Sequence, residues 1–222
     1  MPDLRETPLS LHGIDFCSDA DMIIATDIDS VVLDFDETWR RTGERALARP
    51  IVRQKNVYSM ATRYGLTSDE YDRVWDLFDR DRLWERCCLI RESIAVLLDW
   101  QERGHEIHAV SSIPVHAIPL RMRQFQEIGL TEVYLHAAAN PCRKPNGLPS
   151  KEVILRRIRP VFYADDLWSH CQEALLAGVP HVSFIESTHD GGGVPVKGVR
   201  CALSLSQALH YFENPDVGLQ EA

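Results

Sequence analysis

The 222-residue chain predicts an α/β fold, a doubly wound parallel sheet of Rossmann-like type with a small inserted helical cap. Two observations carry that expectation: short apolar runs alternate with amphipathic helical stretches, and glycines stand just past several of the helix ends. A third is an interruption after the first apolar run, where residues 36–89 hold no clear strand although a simple crossover needs only about a dozen residues.

Each element follows from local pattern. Residues 22–26, 106–110, 132–136, 160–164 and 181–185 are apolar runs of strand length. Residues 94–103, 119–128, 151–157 and 169–177 read as helices, and Gly104, Gly129 and Gly178 follow three of them as C-cap glycines. Inside the interruption, Thr67-Ser68-Asp69-Glu70 supplies N-cap chemistry. Tyr71, Val74, Trp75 and Phe78 then recur at i, i+3, i+4 and i+7, so one helical face must pack on something. The expected division is a core of residues 1–35 and 90–222 with a helical cap of 36–89.

Composition narrows the function. With 45% hydrophobic and 26% charged residues the chain can bury one core, or one core and a small accessory unit. A formal net charge of −9 disfavours general affinity for nucleic-acid polymers or anionic membranes, both polyanions that reward Lys/Arg surfaces. No apolar run approaches the ~20 residues that span a bilayer, and the start, Met1-Pro2-Asp3-Leu4-Arg5-Glu6, lacks the form of a signal peptide. A cytoplasmic location is the expectation. The six cysteines, at 17, 87, 88, 142, 171 and 201, form no Cys-x-x-Cys pair, and the nine histidines show no His-x-x-x-His spacing. Metal binding must come from carboxylates.

Ligands of open α/β sheets bind outside the carboxyl ends of the strands. Four candidate groups fall at such positions or at a helix start: Asp27-Ile28-Asp29-Ser30-Val31, Ser111-Ser112, Ser150-Lys151, and Asp165-Asp166. Singly each is ordinary turn or capping chemistry. Together and in this order they resemble the four motifs of the haloacid dehalogenase superfamily of phosphohydrolases. Asp27-Ile28-Asp29-Ser30-Val31-Val32-Leu33-Asp34-Phe35 is similar to the opening of its 5′(3′)-deoxyribonucleotidase-like branch, with Ser30 where that branch usually has Gly. Gly104-His105-Glu106-Ile107, Ala164-Asp165-Asp166 and Ser204-Leu205-Ser206-Gln207-Ala208-Leu209 are also similar to it, so the likeness spans about residues 22 to 212.

The resemblance implies a phosphomonoester hydrolase working through an aspartyl phosphate. Asp27 would attack phosphorus, and Asp29 would protonate the leaving oxygen and then activate water. Mg²⁺ would be held by the Asp27 carboxylate, the Asp29 carbonyl and Asp165. Ser111 and Lys151 would bind phosphate oxygens, and Asp166 would orient Lys151. The implied partner is a small phosphorylated metabolite, a nucleoside monophosphate or a sugar phosphate, with Phe35, Trp39, Tyr58, Tyr64 and Trp75 as candidates to stack on a base. Phosphoryl transfer to an acceptor other than water, and a non-catalytic binding protein, are the alternatives; oligomeric state is open.

Two ambiguities stand at this level. Residues 31–38 also fit a buried strand ending in Asp34-Phe35-Asp36-Glu37-Thr38, which would move the acid pair to Asp34 and Asp36; in the favoured register Asp36 caps a helix. The lysine could be Lys144 in its Arg-Lys-Pro-Asn-Gly loop instead of Lys151. The run Gly191-Gly192-Gly193 is read as a surface loop, because no Lys-Ser/Thr and no helix follow it.

Overall fold

Buried aliphatic strands flanked by amphipathic helices assemble into one six-stranded sheet. The structure, a computed structural model, describes residues 22–139, 147–189 and 193–216. The strands are β1 (Ile23–Thr26), β4 (Glu106–Ser111), β5 (Val133–Ala137), β6 (Phe162–Asp165), β7 (His181–Ile185) and β8 (Val199–Ala202), with β2 (Leu33–Asp34) and β3 (Cys88–Leu89) paired apart from them. The sheet order is β5-β4-β1-β6-β7-β8, and every neighbouring pair is parallel. Five strands fall where the apolar runs predict them. The sixth, β8, escaped the reading because Val-Arg-Cys-Ala is short and half polar.

Alternation along the strands loads both faces of the sheet. Ile24, Ile107, Ala109, Phe162 and Ala164 join one apolar cluster, which also takes residues of α4 (Arg91–Glu102), α5 (Ile118–Glu127) and α8 (Leu205–Glu213). Ala25, Val110, Tyr163, Val182 and Phe184 join a second, with α6 (Lys151–Ile158) and α7 (Trp168–Ala177). Period-2 side-chain direction is what permits helices on both sides. Gly178, at φ 88°, ends α7 in the left-handed conformation that glycine adopts at little cost.

Between β2 and β3 lie α1 (Phe35–Leu47), α2 (Met60–Tyr64), α3 (Ser68–Arg80) and a 3-10 turn at Leu83–Glu85. The antiparallel β2–β3 pair, Leu33 opposite Leu89, brings the two ends of this helical segment together. The short β3 was not expected; two residues are too few to show a period. A capping box between Thr67 and Glu70 starts α3 as the Thr-Ser-Asp-Glu run implies. At α1 the expectation is corrected. Asp34, not Asp36, is the N-cap and accepts from the Glu37 N–H at 3.0 Å, because the helix begins at Phe35 and Asp36 already lies in its first turn. Among the described residues no helix is long and apolar enough to cross a membrane.

Candidate active site

The order of strands places the site. From β1 the chain builds outward through β4 and β5, then returns to β6 on the other side of β1 and continues to β7 and β8. The carboxyl ends of β1 and β6 therefore flank a topological switch point, where open α/β sheets bind ligands. Asp27 follows β1 directly, its N–H bonded to the Ala164 carbonyl at 2.8 Å, and Asp165 ends β6.

After Asp27 the backbone folds back on itself. The N–H groups of Val32 and Leu33 both bond the Ile28 carbonyl, at 2.8 and 2.9 Å, and Ser30 N–H bonds the Leu33 carbonyl at 2.7 Å. Ser30 takes φ 71°, a left-handed conformation that costs a side-chain-bearing residue roughly 1–2 kcal/mol. That is the physical reason glycine suits this position. The tight turn also puts Asp27 and Asp29 on the lining of the same cavity.

Lys151, at the first position of α6 after the N-cap Ser150, is 1% exposed and reaches under the sheet end. Its Nζ donates to Asp27 Oδ1 at 2.6 Å and to Asp165 Oδ2 at 2.7 Å. The expected bond from Lys151 to Asp166 is replaced by this arrangement. Asp165 also accepts from the Tyr163 hydroxyl, from Leu167 N–H at 2.9 Å and from His170 Nδ1 at 3.2 Å. Asp166 instead lines the cavity and pairs with His189 Nε2 at 2.9 Å. Successive residues at a strand end point to opposite sides, so of the acidic pair one is committed to the interior and the other to the cavity.

Asp29 is held from two sides: Arg121 donates to Oδ1 at 2.7 Å, and the Ser111 hydroxyl makes a longer contact of 3.4 Å to Oδ2. Arg121 is fully buried on α5, stacks over Trp84 at 5.5 Å and donates to Gln124 at 3.1 Å. Sequence reasoning missed it. The available signal was an arginine and a glutamine at i−4 and i−1 from Phe125, on the face of α5 that must be buried.

Electrostatics follow from burial and charge count. Burial pushes the Asp27 carboxyl well above its usual range; Lys151 pulls the other way, and Asp165, Asp166 and Asp29 add to the rise. Asp29 is raised too, burial outweighing the nearby Arg121. Asp165 goes the opposite way. Burial would raise it, but Lys151 and His170 together hold it well below the ordinary carboxylate range.

The carboxylates of Asp27, Asp165 and Asp166 offer oxygens that all lie within 4.8 Å of one another. Hard oxygen donors of this kind fit Mg²⁺. Because the Asp165 oxygens already take four donors, Asp27 and Asp166 are the pair with coordination capacity toward the cavity.

The second candidate register lies elsewhere. Asp34 caps α1, and Asp36 is buried in an ion-pair cluster with Arg53 and Arg63 and a hydrogen bond from the Tyr64 hydroxyl at 2.9 Å. Neither lines the cavity. Lys144 and the loop residues 190–192 lie outside the described residues.

The aromatic candidates divide. Phe35, Tyr58 and Trp75 line the cavity, joined by Tyr71 and Trp84, whereas Trp39 and Tyr64 stack on each other in the interior of the helical segment. His170 and Arg63 also line it and were not anticipated. His170 sits on the buried face of α7, and its Nε2 has no partner among the described residues. Arg63, in the five-residue helix Met-Ala-Thr-Arg-Tyr, too short to show a buried face by period, reads in sequence as a solvated charge.

No protein-family model matches the chain, and no curated protein matches it in sequence. Solved structures match in fold. A haloacid dehalogenase-like family hydrolase from Streptococcus pneumoniae matches with TM-score 0.58 at 11% identity, covering 86% of this chain and 98% of that one. A haloacid dehalogenase family hydrolase from Deinococcus radiodurans R1, solved with bound phosphate and sodium, matches with TM-score 0.56 at 13% identity, covering 88% and 96%. A mutant of CbbY from Rhodobacter sphaeroides in complex with xylulose-(1,5)bisphosphate gives TM-score 0.55 at 13% identity, covering 85% and 96%. The chain thus has the α/β fold of haloacid dehalogenase-like proteins. Nothing in these matches singles out the 5′(3′)-deoxyribonucleotidase-like branch.

Proposed function

We propose that the chain is a phosphomonoester hydrolase in which Asp27 is the nucleophile and Asp29 the general acid and base. The observation that carries this reading is the pairing of Lys151 with Asp27 and Asp165 beside a cavity that Asp27, Asp29, Ser111 and Asp166 all line. A cluster of acids with one buried lysine has little value as packing, since like charges in low dielectric repel. It suits a ligand that brings its own negative charge together with a cation.

Lys151 occupies Oδ1 of Asp27, which leaves Oδ2 to attack phosphorus in line with the leaving oxygen. As the P–O bond to the leaving group breaks, the Asp29 carboxyl gives that oxygen its proton, and phosphorus is left on Asp27 as an acyl phosphate. Asp29, now a carboxylate, takes a proton from water, whose oxygen attacks phosphorus and releases phosphate and Asp27. The burial that raises Asp29 favours the protonated form the first step needs. Arg121 and Ser111 set the direction in which its carboxyl points. Ser111, whose hydroxyl lines the cavity and makes only a long contact to Asp29, can turn its single proton to a phosphoryl oxygen when substrate binds. Lys151 pulls Asp27 toward the ionised form that attack needs, opposing burial and three neighbouring acids.

Mg²⁺ would be held by the carboxylates of Asp27 and Asp166 and by the Asp29 carbonyl. When bound it supplies positive charge that offsets the acids and the phosphoryl oxygens. The role first expected of Asp165 thus passes to Asp166, and the lysine-orienting role of Asp166 to Asp165. The helical segment between β2 and β3 serves as a cap whose side chains meet the leaving group. Nucleoside monophosphates and sugar phosphates are the substrate classes to compare.

The test is hydrolysis of an aryl phosphate with Mg²⁺ and with EDTA. Turnover that requires the metal supports the reading; equal rates in both contradict it.

A further inference from the structure

Each member of the acidic pair at the end of β6 has a histidine of its own, His170 on Asp165 and His189 on Asp166. The two histidines differ in origin. His170 belongs to α7, which follows its acid directly, whereas His189 comes from the stretch after β7, 23 residues from Asp166. An ionised carboxylate offers only acceptors, so His189 Nε2 donates to Asp166 Oδ2, at 2.9 Å. Both side chains are buried. Among the described residues this is the one hydrogen bond on the Asp166 carboxylate, so one oxygen is held and the other is left for a cation. A bond of this kind fixes the direction in which a ligating carboxylate faces.

What touches His189 from the other side belongs to the helical segment between β2 and β3. Its ring meets the Tyr58 ring edge-on, with centroids 5.6 Å apart and 85° between planes. The neighbouring Thr188 carbonyl accepts from the Arg53 guanidinium, which also pairs with Asp36 in the first turn of α1. Arg53 and Tyr58 both lie in the connection from α1 to α2. Tyr58, His189 and Asp166 line one cavity. A continuous path of contacts therefore runs from the cap, through residues 188 and 189, to a carboxylate at the cation site.

We propose that His189 is a positioning residue for the cation: it turns Asp166 toward the site, and the 53–58 stretch of the cap sets His189 in turn. The proposal rests on the reading that Asp27 and Asp166 hold the cation. It needs a donor at Nε2 and no change in the charge of the ring. Cation binding and seating of the 53–58 stretch on residues 188 and 189 then favour each other by the same factor, as linkage requires.

The experiment uses the full chain without substrate. Mn²⁺ is the probe, since carboxylate, carbonyl and water ligands suit it as they suit Mg²⁺, and its free ion is counted by electron paramagnetic resonance. His189→Ala should weaken Mn²⁺ binding by about 10–100-fold, the range for losing a partner of a metal ligand. His189→Gln, whose amide N–H reaches about as far as Nε2, should recover most of that loss. In the native chain, saturating Mg²⁺ should slow amide hydrogen exchange across residues 51–64, and in His189→Ala it should not. Equal Mn²⁺ binding by the native chain and His189→Ala, or no recovery in His189→Gln, overturns the positioning role. Exchange across 51–64 that Mg²⁺ leaves unchanged in the native chain overturns the link to the cap, and this measurement depends on no variant folding. A native chain that takes up no Mn²⁺ overturns the cation reading and this proposal with it.

Discussion

Lys151 lies 2.6 Å from Asp27 at the centre of the sheet's carboxyl edge, and both side chains are almost wholly buried. The same amino group is 2.7 Å from Asp165, so one cation answers two acids. Removing one partner of such a buried pair leaves uncompensated charge, which costs ~3–5 kcal/mol. Lys151→Met should therefore lose activity and also fall in stability by about that amount in urea unfolding. Lys151→Arg should not restore turnover, because a planar fork cannot take the place of a point charge between two carboxylates.

Asp27 gives the opposite sign. Its native pKa lies above its unfolded value, so between the two the native chain binds more protons, and stability falls as pH rises through that window. Asp165 is depressed; its contribution is complete above the unfolded value near ~3.9 and is lost as pH falls toward the native one. Asp27→Asn should then abolish turnover yet raise the melting temperature in EDTA near neutral pH, and flatten the loss of stability with rising pH. A lower melting temperature in EDTA would place Asp27 among the stabilising acids instead.

The two acids of the alternative register should separate cleanly. Asp34→Ala removes an N-cap, worth about 1 kcal/mol, and should keep measurable turnover. Asp36→Ala strands the buried Arg63 and should cost ~3–5 kcal/mol, with any loss of activity tracking loss of folded protein. Equal and small effects of both on denaturant midpoint would refute a stabilising role for the buried Asp36–Arg63 ion pair.

Ser30 provides a smaller and sharper check. Glycine relieves the left-handed strain at φ 71° and adds unfolded-state entropy, two opposed effects of ~1 kcal/mol each. Ser30→Gly should leave stability within about 1 kcal/mol of the parent and preserve the turn, hence turnover. A collapse of activity with folding intact would mean that the Ser30 side chain itself acts in the cavity it lines.

Much of this architecture is legible in the residues because the signals are periodic. The apolar runs located five of the six sheet strands, and the groups set at their ends, Asp27, Asp29, Ser111 and Asp165-Asp166, converge with Lys151 in the structure. What stayed hidden depends on register and three-dimensional pairing. Which of Asp165 and Asp166 faces the cavity is a matter of strand parity at one position, and no composition reveals it. Arg121, Arg63 and His170 are polar residues on helices whose partners are distant in sequence: Asp29 is 92 residues from Arg121. The β2 and β3 strands are two residues each, below the length at which alternation exists.

The central claim is that phosphorus passes through Asp27. Acid quenching during turnover of a substrate radiolabelled at phosphorus, followed by peptide mapping, tests it most directly. The account predicts a label that hydroxylamine removes, carried on the peptide containing Asp27 and absent in Asp27→Asn. Steady turnover with no trapped label, or a label mapped to Asp34 or Asp36, would contradict it.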